Sequence, residues 1–224
     1  MALAGTGMPV AHAQTGTWWR HDVRSASLGA FAALLSGMDD AVGRVLEKIR
    51  SLGLERNTLI VFISDNGAPP HREGGNGPLR GGKHTTWEGG VRVPFIMSWP
   101  GVLAKGMPDT KTVVSSMDIF ATCAALTGVT APANLDGVNL IPHLKGEIKT
   151  PPHDALYWRW VATWARALRA PHDLGYADVS FDGRREWATP NLNRLALEGT
   201  VFRRWYTAAV VCAPSRAALL TGRN

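Results

Sequence analysis

Residues 58–64, Thr-Leu-Ile-Val-Phe-Ile-Ser, form a continuous β-branched and apolar run. A half-buried strand would alternate apolar and polar residues; this one does not, so both of its faces are covered. That pattern belongs to the interior of a parallel sheet flanked by helices, which implies an α/β fold. The run stops at Asp65-Asn66-Gly67. In open α/β sheets ligands bind beyond the carboxyl ends of such strands. One carboxylate and one amide oxygen there suit a hard divalent cation, Ca²⁺ or Mg²⁺. Asp-Asn-Gly is equally good turn chemistry, and taken locally the turn is the better reading.

The surrounding pattern agrees with α/β. Leu28, Phe31, Leu35, Met38, Val42, Val45 and Ile49 recur at helical spacing, predicting an amphipathic helix over 28–51 with Gly53 beyond it. Residues 1–27 read as a loose leader. Residues 68–90 are a long Gly- and Pro-rich loop, the kind that is usually functional or disordered. Val91–Trp99 reads as a strand, and Ser115-Ser116-Met117-Asp118 as a capping box opening a helix to about Leu126 that Gly128 ends. Within it Cys123 reads as a buried structural thiol. Leu135–Leu144 and Leu156–Trp160 read as short strand-like or turn-like pieces, and 161–171 as a junction without an assignable element. Thr189-Pro190 predicts an N-cap with Pro at the first helical position. Thr200–Ala209 reads as a strand, and Cys212-Ala213-Pro214-Ser215-Arg216 opens a last helix.

With 224 residues, 45% of them hydrophobic and 19% charged, the chain has globular composition and no apolar run near the roughly 18 residues a membrane span needs. Two cysteines cannot make a disulfide framework. The net charge of +6 is uneven: after residue 165 nine arginines face five acids. A solvated face explains this most simply; attraction of an anionic ligand is the sharper reading. No basic run is interleaved with stacking aromatics, so no nucleic-acid partner is expected. Ala11-His12-Ala13 before Gln14 resembles a signal-peptidase site. The stretch lacks a basic start, and Gly5, Gly7 and Pro9 break its apolar core. A periplasmic or secreted location follows if it acts as a signal, a cytoplasmic one if not.

Three clusters can carry chemistry. Cys212 lies at a strand-to-helix junction, where the helix N-terminus favours an anion, with the Arg216 cation close by. Asp65-Asn66 is the second. The third is Leu79-Arg80-Gly81-Gly82-Lys83-His84-Thr85-Thr86-Trp87-Glu88-Gly89-Gly90-Val91-Arg92, where glycines allow close backbone approach and Lys83 offers a point charge for an oxyanion. Its spacing is not that of a P-loop.

Together these segments resemble the sulfatase family. Cys212-Ala-Pro-Ser-Arg216 followed by Leu-Leu-Thr-Gly-Arg223 is similar to its signature, as are Asp173-Leu-Gly-Tyr-Ala-Asp178 and Thr189–Gly199. Ile60–Gly67, Gly81–Gly101, Ser116–Ile119 and Leu135–Leu140 look like the later part of the same catalytic domain. The resemblance implies a partial alkaline-phosphatase-like α/β fold with a mainly parallel sheet. It implies a sulfuric ester hydrolase in which a separate formylglycine-generating enzyme oxidises Cys212. The hydrated aldehyde then attacks the sulfur of an anionic sulfate monoester. Arg216 would hold that hydrate, Lys83 would neutralise sulfate charge, and Asp65, Asn66 and Asp173 would ligate Ca²⁺, or Mg²⁺.

The order differs from the family's. Residues 28–160 resemble the second half of the catalytic domain and 172–224 its beginning. The central segment, with its Lys-x-His pair and further His, has no counterpart. His172 stands where the family has a first metal carboxylate, and imidazole is a poor ligand for a hard cation. A catalytically inactive rearranged fragment and a phosphoesterase of the same superfamily are the alternatives. An incomplete sheet would also expose edges for self-association.

Overall fold

The apolar stripe at helical spacing forms helix α1 (Val23–Ser51), which starts five residues before the predicted boundary. In this computed structural model residues 23–69, 76–109, 111–160, 163–167 and 188–223 are described. Among them no helix is long and apolar enough to cross a membrane.

The apolar run becomes strand β1 (Ile60–Ile63). After a short helix α2 (Glu88–Val91), the predicted strand over 91–99 narrows to β2 (Phe95–Ser98). β1 pairs with β2 antiparallel, in the register Ile60↔Ser98 to Ile63↔Phe95. The sheet order is β1-β2-β7-β3, where β3 is Met107–Asp109 and β7 is Thr200–Phe202. β2 and β7 are antiparallel, β3 and β7 parallel. The sheet is therefore mixed, and β1 is its outermost strand among the described residues, not an interior parallel one.

The reason the run is apolar throughout is nonetheless coverage on both faces. Ile60 and Phe62 pack against Leu46, Ile96, Leu192, Leu195 and Val201, a cluster shared with α1 and with helix α5 (Pro190–Glu198). Leu59, Val61 and Ile63 pack on the other side against Phe95, Phe202 and Trp205. There the Phe95 and Trp205 rings stack with centroids 3.5 Å apart. A continuous apolar pattern reports two covered faces; it is silent on the direction of the neighbouring strand.

The predicted strand over 200–209 is broken at Arg203-Arg204. β7 stays in the four-stranded sheet, while β8 (Trp205–Tyr206) pairs in parallel with β4 (Val114–Ser115). Helix α3 (Met117–Thr127) ends as expected at Gly128, which takes a left-handed φ of 71°. The buried Asp118 carboxylate accepts the Ser115 and Val138 amides and meets His153 Nε2 at 2.8 Å. Cys123 faces solvent and is exposed, contrary to the buried reading: on α3 it lies between the inward-facing Thr122 and Ala124. The 135–144 stretch supplies a helical turn, α4 (Ile141–Leu144), rather than a strand. The unassigned junction contains strand β6 (Thr163–Ala167), which forms an antiparallel hairpin with β5 (Leu156–Trp160). Residues 168–187, including His172 and Asp173, and the leader residues 1–22 lie outside the described residues.

At the predicted N-cap, Thr189 makes no side-chain capping bond. The first turn of α5 is capped from a distant helix. Asp39 on α1, only 1% exposed, accepts the Asn191 and Leu192 amides at 2.9 and 2.8 Å and the Asn191 side-chain amide at 3.0 Å. A carboxylate there satisfies orphan donors and meets the positive end of the helix dipole. Replacing Asp39 by Ala leaves buried donors unmet and is expected to cost about 2–3 kcal/mol. Urea unfolding checks this, with Asp39→Asn losing less because its amide oxygen still accepts.

Candidate active site

The site is assembled by a contact between two turns that leaves no room for side chains. Gly67, just past β1, donates its N–H to the Gly90 carbonyl at 2.9 Å. A Cβ on Gly67 would lie 1.7 Å from the Gly89 carbonyl oxygen, and one on Gly90 would lie 2.1 Å from the Thr85 carbonyl oxygen. Only glycine permits this approach. Asn76 braces the same loop: its Oδ1 accepts the Ala68 amide, and its Nδ2 donates to the Ala68 and Gly81 carbonyls. Lys83 N–H donates to the Ala68 carbonyl at 3.0 Å, and His84 N–H to the Val210 carbonyl at 3.1 Å. The basic loop is thus sewn to the end of β1 on one side and to the residues preceding Cys212 on the other.

These bonds carry Lys83 to Cys212. The Lys83 ammonium donates to Cys212 Sγ at 3.0 Å, across 129 residues of sequence. Cys212 is the first residue of helix α6 (Cys212–Thr221), with Pro214 in its first turn. The expected helix start at Cys212 matches the geometry. The far end of α6 is fixed as well: Gly222, left-handed at φ 69°, accepts the Asp136 and Gly137 amides through its carbonyl.

Arg216, one turn along α6, reaches Asp65 instead of Cys212. Its Nε lies 3.4 Å from Asp65 Oδ2, and its side chain is 71% exposed. Asn66 is buried, its Nδ2 donates to the Gly67 carbonyl, and its Oδ1 is a buried acceptor without a hydrogen-bond partner. Asp65, Asn66 and Arg216 line one cavity of about 420 Å³, together with Asn76, Arg92 and the α1 residues Leu35 and Met38. A buried unpaired amide oxygen beside a part-exposed carboxylate is a donor set for a hard cation, and these residues fit one. Among the described residues no group of three His, Cys, Asp or Glu side chains converges. The third expected ligand, Asp173, lies outside them.

A part-buried network behind the loop is not signalled by any spacing rule. Arg92, 4% exposed, pairs with Glu88 Oε2 at 3.1 Å and donates through Nε and Nη2 to the Arg203 carbonyl. The Tyr206 hydroxyl donates to Glu88 Oε1 at 3.0 Å. Burial, and then the Glu88 carboxylate, push the Tyr206 phenol well above the ordinary tyrosine range. Glu88 and Arg92 sit inside a motif that sequence reading quotes without giving them a role.

A family model described as "Sulfatase" matches residues 7–129 and 172–224. The chain belongs to the sulfatase family. Among curated sulfatases it is 38% identical to the steryl-sulfatase of Rattus norvegicus over 175 residues, covering 74% of this chain and 29% of that one. It is 35% identical to the N-acetylgalactosamine-6-sulfatase of Homo sapiens over 159 residues, covering 61% and 30%. It is 43% identical to the arylsulfatase A of Bos taurus over 134 residues, covering 58% and 26%. This sulfatase chain thus spans less than a third of the length of these relatives. Among solved structures, that of "Ps i-CgsB in complex with k-i-k-neocarrahexaose" aligns with a TM-score of 0.52 and 28% identity, over 69% of this chain and 37% of the other. The α/β, alkaline-phosphatase-like fold class stands.

Two outcomes follow from this geometry. Gly67→Ala drives a methyl group into backbone and is expected to destabilise by about 1–3 kcal/mol, read as a lowered thermal midpoint. The raised Tyr206 pKa favours the neutral phenol in the folded state. Its contribution to stability is full below the unfolded value of about 10 and is lost as pH rises through the folded value. Absorbance titration at 295 nm should therefore show a late-ionising tyrosine that Tyr206→Phe removes.

Proposed function

We propose that this chain provides a sulfuric ester hydrolase centre, acting on anionic sulfate monoesters through Cys212 oxidised to formylglycine. The observation that carries this reading is the Lys83 ammonium 3.0 Å from Cys212 Sγ at the start of α6. When present, the hydrated aldehyde supplies one hydroxyl to displace the alcohol from sulfur and a second to expel sulfate as the aldehyde returns.

The chain's own residues supply the surroundings. Lys83 would donate to an anionic oxygen of the bound sulfate and offset its charge, as the first-turn amides of α6 would. Asp65 and Asn66 would hold the divalent cation, Ca²⁺ or Mg²⁺, with the orphan Asn66 Oδ1 as the neutral ligand. Asp173 is proposed as a third ligand from its motif. Arg216 would keep the space between Asp65 and Cys212 cationic. Lys83, Arg216, the first-turn amides of α6 and a held cation all favour an anion with several acceptor oxygens, and the Cys-x-Pro-Ser-Arg sequence favours sulfate over phosphate. We read the two matched segments as the later and earlier parts of one catalytic domain in reversed order. Lys83 meeting Cys212, and Asp65 meeting Arg216, support that reading.

The test is co-expression with a formylglycine-generating enzyme. Mass spectrometry of the Cys212 peptide should show the aldehyde, and the protein should hydrolyse an aryl sulfate. Cys212→Ala should abolish hydrolysis, and Lys83→Met should lower kcat by about 10²- to 10³-fold. An unmodified thiol with no hydrolysis, or hydrolysis retained in Cys212→Ala, overturns the proposal.

A further inference from the structure

We propose that Glu88 is a positioning residue that sets Lys83 against Cys212. This rests on the reading above that the Lys83–Cys212 contact is the working centre.

Glu88 does not touch Cys212. It lies five residues after Lys83, at the first position of α2. Its carboxylate reaches across to the segment that leads into Cys212. Oε1 accepts the Tyr206 hydroxyl at 3.0 Å, and Tyr206, 3% exposed, precedes Cys212 by six residues. Oε2 takes Arg92 Nη1 at 3.1 Å. Arg92 in turn donates through Nε and Nη2 to the carbonyl of Arg203, just ahead of β8. One carboxylate therefore ties the chain after Lys83 to the chain before Cys212, directly through Tyr206 and indirectly through Arg92. Backbone bonds run alongside: Thr207 N–H to the Val91 carbonyl, and the Arg92–Tyr206 bridge.

The carboxylate is specific to the task. Tyr206 and Arg92 both present donors, and a carboxylate is acceptor-only on both oxygens. An amide at this position must turn an N–H₂ group toward one of them. With that group toward Tyr206 the hydroxyl must turn from donor to acceptor, and the bond to Arg92 loses its negative partner, so the clamp loosens without any loss of side-chain volume. An ion pair that served packing alone would carry no consequence for the thiol across the loop. A positioning clamp would, because it acts together with the His84–Val210 backbone bond to hold the Lys83 loop against the segment that leads into Cys212.

The experiment reads the Cys212 thiol directly. Full-length protein is made without formylglycine-generating enzyme and in a Cys123→Ser background, so that Cys212 is its one cysteine. Iodoacetamide alkylation is followed at pH 7. Lys83→Met is expected to change the alkylation rate of Cys212 by about threefold or more, because the ammonium no longer lies against the sulfur. Glu88→Gln is expected to change the rate in the same direction, and the Glu88→Gln/Lys83→Met double variant to match Lys83→Met alone, since both act through one contact. A Glu88→Gln rate equal to that of the parent, with Lys83→Met changed, overturns this inference and leaves the proposed centre standing. An unchanged rate in Lys83→Met overturns both. If Glu88→Gln does not fold, Tyr206→Phe decides: it keeps the ring and removes one donor to the carboxylate. A changed rate supports the clamp and an unchanged one overturns it.

Discussion

Everything at this site depends on one backbone contact, the crossing of Gly67 and the Gly89-Gly90 turn. Two peptide planes pack against each other with no Cβ between them and share a single N–H to carbonyl bond. That proximity carries the 76–92 loop onto the end of β1, and the loop brings Lys83 across to α6. A side chain on either turn would part the planes by more than an ångström. Such a shift would move the loop backbone that carries Lys83 toward Cys212. The glycines are thus geometric requirements of the charged contact, not features of a loose loop.

A second constraint acts on the opposite face of the sheet. Asp39 fastens α1 to the start of α5, so a helix from early in the chain covers strands from both matched segments. Burying a carboxylate is unfavourable unless donors surround it, and here three nitrogens do. The same logic recurs at Asp118 beneath α3, where two amides and His153 enclose the carboxylate. Both acids spend their charge on joining segments far apart in sequence, and neither belongs to the cavity beside Asp65.

Much of this is legible in the sequence alone. The helical spacing of α1, the stop at Gly128 and the helix opening at Cys212 are local properties, and local rules capture them. The two-sided coverage of β1 was legible too, because every residue of the run is apolar. What was not legible is whatever depends on partners elsewhere in the chain. The antiparallel neighbour of β1 leaves no mark on β1 itself. The cap of α5 comes from Asp39, so Thr189-Pro190 pointed to the correct boundary through the wrong side chain. The sheet switch at Arg203-Arg204 is fixed by Arg92 bonding a carbonyl, which has no signature in side-chain pattern. Cys123 follows Thr122, which turns inward to cap the Leu140 amide, and so the thiol faces out despite apolar neighbours. At the site, Lys83 and Cys212 were found by motif and do meet, whereas Arg216 bonds to Asp65, a pairing that composition alone does not indicate.

The sequence separations have a kinetic meaning. Lys83 and Cys212 are 129 residues apart, Arg92 and Arg203 are 111 apart, and Asp39 and Asn191 are 152 apart. Contacts of such high order form only after the entropy of closing long loops has been overcome, so they come late in folding. Helices α1 and α3 can form early from nearest neighbours. The pairing of ammonium and thiol must wait until the 76–92 loop has docked against the segment leading into α6. During synthesis on the ribosome, the residues of the site therefore stay apart until the last of them has emerged.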